Sequence, residues 1–236
     1  MKVAIHQPQY FPWPPYLHKA MTADVFVYLD TVQFNKNGLQ NRNRIKTAQG
    51  PKWLTIPIKQ LFGQRIQETA IADSRATMKH WKTIVANYSR SAGFVRWRDE
   101  LQDLLDREFV SLCDIAIAST EWMLSKLNAR SRRIRASDIN GLQGEASRMV
   151  ASVCQALGAS TYFTGTGAMA YLDPRDFADI KCEIVVQNWQ PFTYDQLYPE
   201  VGFVSDLSTI DLLLNCPDMA ESLITSAGGW LPLHQQ

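Results

Sequence analysis

Residues 2–30 read KVAIHQPQYFPWPPYLHKAMTADVFVYLD, and this stretch decides the fold. Lys2 to His6 is a short apolar run of the kind that forms a buried strand. Asp24 to Asp30 (DVFVYLD) is a second, rich in β-branched and aromatic residues. Between them Pro8, Pro12, Pro14 and Pro15 each remove a backbone donor and fix φ, so no regular strand or helix runs through them. The segment is a stiff loop. Its aromatics, Tyr10, Phe11 and Trp13, are expected to form a pre-organised wall for a ligand. A short helix over Tyr16 to Met21 then leads into the second strand, and so compact a crossover predicts parallel pairing.

Working outward, Lys52 to Ile58 (KWLTIPI) and Ile66 to Ala72 read as two more strands, paired across a turn at residues 59–64. From about Arg75 to Leu127 the period changes. Met78, Trp81, Ile84, Val85 and Tyr88 recur at helical spacing, and Phe94 to Leu105 and Val110 to Leu127 continue the pattern, which predicts three helices. Trp81, Trp97 and Trp122 belong on the apolar faces of these helices rather than on a ligand platform. Alternation then resumes: strands at Arg132 to Ala136, Thr161 to Thr164 (TYFT) and Cys182 to Gln187 (CEIVVQ), with a helix over Gly144 to Leu157. With 236 residues, 46% of them hydrophobic, and no repeat or linker, the chain is expected to be a single α/β domain over residues 1–236. Its expected fold is Rossmann-like, a mostly parallel sheet with a helical insertion around residues 75–127.

Several classes of function are excluded or disfavoured. Cys113, Cys154, Cys182 and Cys216 form no CxxC pair, and His6, His18, His80 and His234 show no HxH or HExxH spacing, so no protein-built metal site is expected. There is no G-x-S-x-G motif. No segment approaches the roughly 20 apolar residues that span a bilayer, and His6 to Pro15 interrupts any early apolar run of the signal-peptide kind. A cytoplasmic location is the expectation.

Net charge is +1, yet from Thr31 to Gln67 there is no Asp or Glu, while Lys36, Arg42, Arg44, Lys46, Lys52, Lys59 and Arg65 are all basic. An anionic ligand meeting this region, a phosphate above all, would explain the asymmetry; a solvated loop would also. In open α/β sheets the ligand crevice lies beyond the carboxyl ends of the strands. Those positions here are His6-Gln7, Asp30 with Gln33, Gly165-Thr166-Gly167 after TYFT, and Gln187-Asn188. His6 is a candidate proton acceptor or a simple loop anchor. Between Asp30 and Lys46 the amides and cations, among them Gln33, Lys36, Asn41, Arg42 and Arg44, suit the hydroxyls and diphosphate of a nucleotide sugar. Asn37-Gly38 also suits a tight turn. Gly165-Thr166-Gly167 resembles the start of an anion-binding turn but lacks the third glycine of a dinucleotide fingerprint and the Lys-Ser/Thr of a P-loop. Ser208 and Asp211 fit a helix capping box.

The segments IHQPQYFPW, LDTVQFNKNGLQNRNRIKTAQGPKWLTIPI, TYFTGTGAMAYL and LSTIDLLLN together resemble the WbqC-like family of bacterial proteins, over most of the chain to about Asn215. That resemblance implies an association with surface-polysaccharide clusters such as those for O-antigen and lipopolysaccharide. It also implies a role in modifying sugars by adding an acyl or aminoacyl group to an amino sugar. His6, Gln7, Tyr10, Asp30, Gln33, Lys36, Asn41 and Arg42 match the family's polar core, with Gly165 and Asp211 behind them. Thr164 stands where serine is expected, and Pro14-Pro15 replaces an apolar residue and glycine.

The expected function is therefore that of a transferase acting on a nucleotide-linked amino sugar, with an activated acyl or aminoacyl donor as second substrate. His6 and Asp30 are the expected catalytic pair. Gln7, Tyr10, Gln33, Lys36, Asn41, Arg42, Arg44, Gly165, Thr166, Gly167 and Asp211 are expected to bind substrate, with no resident metal and no cofactor specified. Two alternatives remain: a non-catalytic anion-binding scaffold, and a nucleotidyltransferase-like enzyme, against which stands the lone His18 in PYLHK. Nucleic acid is the weaker anionic partner, favoured only by Trp53 within the basic window.

Overall fold

The computed structural model describes residues 1–59 and 61–233. Strand β1 (Lys2–His6) leads through the proline loop into helix α1 (Pro14–Thr22) and strand β2 (Val25–Tyr28), parallel to β1 with Val3 opposite Val25 and His6 opposite Tyr28. Pro14 and Pro15 begin α1, where their missing N–H groups would lack intrahelical partners in any case. An antiparallel hairpin follows, β3 (Arg42–Thr47) and β4 (Gly50–Thr55), and then the helices α2 (Ala76–Tyr88), α3 (Ala92–Asp106) and α4 (Leu112–Lys126). The chain re-enters the sheet as β5 (Arg132–Arg135) beside β2, crosses through α5 (Ala146–Leu157) to β6 (Thr161–Thr164) on the other side of β1, and continues through α6 (Arg175–Ala178) to β7 (Glu183–Trp189). Helices α7 (Thr209–Asn215) and α8 (Ala220–Ala227) precede an antiparallel edge strand, β8 (Gly228–Pro232).

The sheet order is β5-β2-β1-β6-β7-β8, with β8 alone antiparallel. Successive residues alternate between two cores, as the period of a strand requires. Val3, Ile5, Val25, Val27, Tyr162 and Ile184 pack with α5 and α6, while Ala4, Phe26, Tyr28, Phe163 and Val185 pack with α1, the insertion helices, α7 and α8. Helices on both faces of a mostly parallel sheet make this the Rossmann-like α/β architecture expected, with α2 to α4 as the insertion.

Four local expectations are corrected. Residues 66–72 form no strand: Ile66–Glu68 is a 3₁₀ turn, and the only ladder contacts there are isolated bridges, Ile58 to Ile71 and Ala70 to Ser111. The partner of β4 is instead β3, within a stretch expected to be a loop; its inward residues Asn43, Ile45 and Thr47 are mostly polar and hide the alternation. Residue 60, in the expected turn, and His234 lie outside the described residues. The proline loop is an interior wedge. Tyr10 and Phe11 are fully buried beneath the insertion, and Phe11, at φ 43°, is held by its N–H to Ser119 Oγ (3.0 Å) and its carbonyl to Asn43 Nδ2 (2.7 Å). Finally, Ser208 caps α7 by accepting from Ile210 N (3.2 Å), but Asp211 turns inward and the Ser208 N–H goes to Arg44 O (2.9 Å), so no capping box closes.

Candidate functional site

The strand order places β1 and β6 side by side with their connections leaving in opposite directions, and the region beyond their carboxyl ends is the place where open α/β sheets bind ligands. His6 ends β1 and Thr164 ends β6, with Gly165 next in the chain. Into this place α1 projects Lys19, a residue that sequence patterning did not single out. Lys19 lies one turn after buried Tyr16, in a helix buried all round from Pro15 to Ala20, and is only 5% exposed. A Cβ added to Gly165 would lie 3.1 Å from Lys19 Nζ, so the ammonium rests against the bare glycine.

Burial pushes the Lys19 pKa down to about 8. Among the described residues no carboxylate lies within ion-pair distance of it. The contrast is Lys46, equally buried, whose charge acts on the Asp211 carboxylate. Beside Lys19 the half-buried imidazole of His6 donates from Nδ1 to Gln7 O (3.1 Å) and meets the Tyr16 ring edge-on at 4.6 Å. Its pKa falls to about 3, first through burial and then through the Lys19 charge, against the opposing pull of the Gln7 carbonyl. The ring is neutral at working pH, with Nε2 the lone-pair nitrogen.

Side-chain amides order the mouth of the crevice. Gln7 Oε1 accepts from Gln40 Nε2 (2.7 Å), and Gln40 Oε1 accepts from Asn35 N (2.8 Å), so buried Gln40 ties residues 35–40 to the end of β1. Gln187 lies within β7, which runs on to Trp189 rather than ending before Asn188, and it donates through Nε2 to Pro15 O (2.9 Å) and His18 Nδ1 (2.9 Å), fixing α1 against the sheet. Thr166 and Gly167 are exposed in the turn after Gly165.

The structure thus brings His6, Gln7 and Gly165 together, adds Lys19 and Gln40, and disperses the remaining candidates. Asp30 is fully buried and serves Ser137, accepting from its N–H (3.0 Å) and Oγ (2.7 Å), with the Cys113 thiol at 4.0 Å; it makes no hydrogen bond to His6. Tyr10 bonds through its hydroxyl to His80 Nδ1 (2.9 Å) in the interior. Asp211 accepts from Tyr88 Oη and Tyr194 Oη (2.7 Å for the latter) and is fully buried. Asn41 donates to Ile56 O (2.9 Å), while Gln33 and Lys36 are exposed, Gln33 bridging to Arg65.

Arg42 and Arg44 occupy one face of β3 over the exposed indole of Trp53 on β4, their guanidinium carbons 4.5 and 5.6 Å from its ring centre. They form a second basic surface. A shallow aromatic cleft lies beyond β7, lined by Trp13, Pro14, Trp189, Phe192 and Phe203 with Asp206 at its rim. Of the expected aromatic wall, Trp13 is the member that keeps part of its ring outward. Among the described residues no cluster of His, Cys, Asp and Glu could hold a metal ion, and no helix is long and apolar enough to cross a membrane.

Fold and site together define a Rossmann-like α/β protein with a polar crevice at its topological switch point. The chain belongs to the WbqC-like protein family, whose match covers residues 7–222. It is 33% identical over 218 residues to an uncharacterized protein of Mycobacterium tuberculosis, Rv1507c, a match covering 91% of this chain and 93% of that protein. No solved structure matches it.

Proposed function

We propose that this protein is a transferase that binds a nucleotide-linked amino sugar in the β1/β6 crevice and adds an acyl or aminoacyl group to the sugar amine. The observation that carries the proposal is the pairing, at the switch point, of a neutral imidazole with a buried ammonium that has no carboxylate partner. An amino sugar reaches the site as R–NH₃⁺ and must lose a proton before its lone pair can attack an acyl carbonyl. His6 Nε2 takes that proton, the freed amine attacks the acyl carbon, and as the bond to the donor's leaving group breaks the second N–H proton departs with that group, leaving the amide. In the free protein burial, and after it the Lys19 charge, suppress the basicity of His6; a bound anion beside Lys19 offsets the second of these and raises it. Asp30 is a positioning residue, acting through the Ser137 loop it ties to β2. The Trp13–Trp189–Phe192 cleft supplies a face on which a base or sugar ring can stack.

The test is thermal unfolding of wild type and His6→Ala against nucleotide sugars, ATP with Mg²⁺, acyl-CoA and tRNA, followed by a transfer assay on whichever sugar binds. A ligand at about 100 times its Kd stabilises the fold by roughly 2.7 kcal/mol. Selective stabilisation by one nucleotide amino sugar is expected, with His6→Ala keeping the binding and losing most of the transfer. If no nucleotide sugar stabilises the protein, the proposal fails. One observation favours a second reading, a scaffold that meets an acidic partner: around the exposed Trp53 indole, the half-buried Arg42 and Arg44 are unpaired with any carboxylate among the described residues. Its signature is binding of any polyanion that vanishes with salt.

A further inference from the structure

We infer that the space between Lys19, His6 and Gly165 is a phosphate site, and that Lys19 rather than Arg42 or Arg44 is the cation that holds the phosphate. The inference rests on the assignment of this crevice as the ligand site, and it names the chemistry of what enters there. Three features of the crevice point to an anion. Lys19 is 5% exposed, and no counter-charge stands beside its ammonium among the described residues. Such a buried ammonium costs the fold free energy unless something bound repays it. Gly165 is bare where a side chain would crowd the ammonium at 3.1 Å, although its φ of −105° suits any residue. At Gly167 a Cβ would meet nothing within 4 Å, and Thr166 exposes a hydroxyl beside it.

Neutral His6, its Nδ1–H already given to Gln7 O, places no second charge beside Lys19. A phosphate, with more charge and more acceptor oxygens than a carboxylate, matches a buried ammonium set against a turn that exposes the Thr166 hydroxyl. The guanidiniums of Arg42 and Arg44 are half-buried and already engaged, stacked on Trp53 and donating to Asn37 O (2.7 Å) and Asp206 O (3.4 Å).

The experiment is calorimetric titration of the whole chain with inorganic pyrophosphate, inorganic phosphate and sodium acetate at low salt. The variants are Lys19→Met, Gly165→Ala, the double variant Arg42→Ala/Arg44→Ala, and Lys82→Ala as a remote surface-charge control. Wild type is expected to bind pyrophosphate, with Lys19→Met weakening it by about tenfold or more, a typical loss for one charge-assisted bond. Gly165→Ala weakens it too, because its methyl displaces the ammonium, whose flexible stem lets the fold survive. Lys82→Ala leaves it unchanged. Retention of pyrophosphate binding in Lys19→Met overturns the inference, as does equal Lys19-dependent binding of acetate, or no pyrophosphate binding by wild type. Failure of the transfer proposal looks different: Lys19-dependent pyrophosphate binding without preference for any nucleotide sugar leaves the phosphate site standing and removes the sugar chemistry.

Discussion

At the scale of one residue, Lys19 has opposite effects on stability and on binding. Its pKa is about 8 in the fold against 10.5 for the free side chain. Below pH 8 both states hold the proton, and the fold carries the whole penalty of a buried charge. Between pH 8 and 10.5 the folded state has released a proton that the unfolded state still binds, so stability rises with pH. Replacing Lys19 by methionine, close in volume and uncharged, is therefore expected to stabilise the protein at pH 7 by about 1–4 kcal/mol, the range seen when buried ions give way to apolar groups. Urea unfolding at pH 7 and pH 10 checks this, because the advantage of the variant over wild type shrinks as the wild-type lysine discharges. A loss of stability in Lys19→Met at pH 7 would mean that Lys19 is a structural residue with a partner it needs. The sequence hid this lysine for a plain reason. In PYLHKA a lysine on a short helix reads as solvated, and it is the tertiary packing around α1, which buries every residue from Pro15 to Ala20, that turns it inward. His6, by contrast, was legible, because a polar residue ending an apolar strand ahead of prolines has few places to go.

At the scale of elements, Tyr88 shows how the insertion is fastened to the hairpin and to α7. Its hydroxyl accepts from Lys46 N on β3 (3.0 Å) and donates to Asp211 on α7, while Tyr88 itself belongs to α2. Tyr88→Phe keeps the ring and leaves two buried groups short of a partner, one a main-chain N–H. It is expected to cost about 1–3 kcal/mol, read as a lower urea midpoint with an unchanged slope. A cost near zero would mean that the three elements are held by apolar packing alone. Elements with a strong period were readable from sequence. The insertion helices announced themselves through Met78, Trp81, Ile84, Val85 and Tyr88, and the parallel strands through short apolar runs. The elements missed lack that period. In β3 the inward Asn43 is spent on the carbonyl of strained Phe11, and β8 (GGWLP) opens with two glycines, one of which lies so close to His18 that a Cβ would stand 2.2 Å from its ring. Polar inward residues and close glycines serve tertiary contacts, and no local pattern encodes those.

At the scale of the whole molecule, neutral histidines join the layers. His18 on α1 accepts from Gln187 of β7 and stacks on Trp230 of β8 at 5.3 Å, while His80 on α2 bonds to Tyr10 of the proline loop. Burial lowers both pKa values to about 4, and that of His6 to about 3. The Asp30 and Asp211 contacts, by the same measure, are tertiary ties that the sequence could present only as isolated carboxylates, since the Ser137, Tyr88 and Tyr194 that meet them are far away in the chain. For a histidine with a depressed pKa the sign is that of an ion-paired carboxylate, at a higher pH. Above pH 6.5 the ring is neutral folded or unfolded and contributes nothing to pH dependence. Between pH 6.5 and about 4 the unfolded chain takes a proton that the folded ring refuses, so stability falls with pH by about 1.4 kcal/mol per unit for each such ring. With three rings acting together the protein is expected to lose stability steeply below pH 6, well before most carboxylates titrate. Urea unfolding at intervals from pH 7.5 to 4.5 measures the slope. His80→Gln removes one titrating ring from it, and the slope of ΔG against pH should flatten by about 1.4 kcal/mol per unit even if the variant is less stable at every pH. An unchanged slope would mean that His80 takes up its proton inside the fold, which requires the Tyr10 contact between insertion and sheet to open in acid before the molecule unfolds.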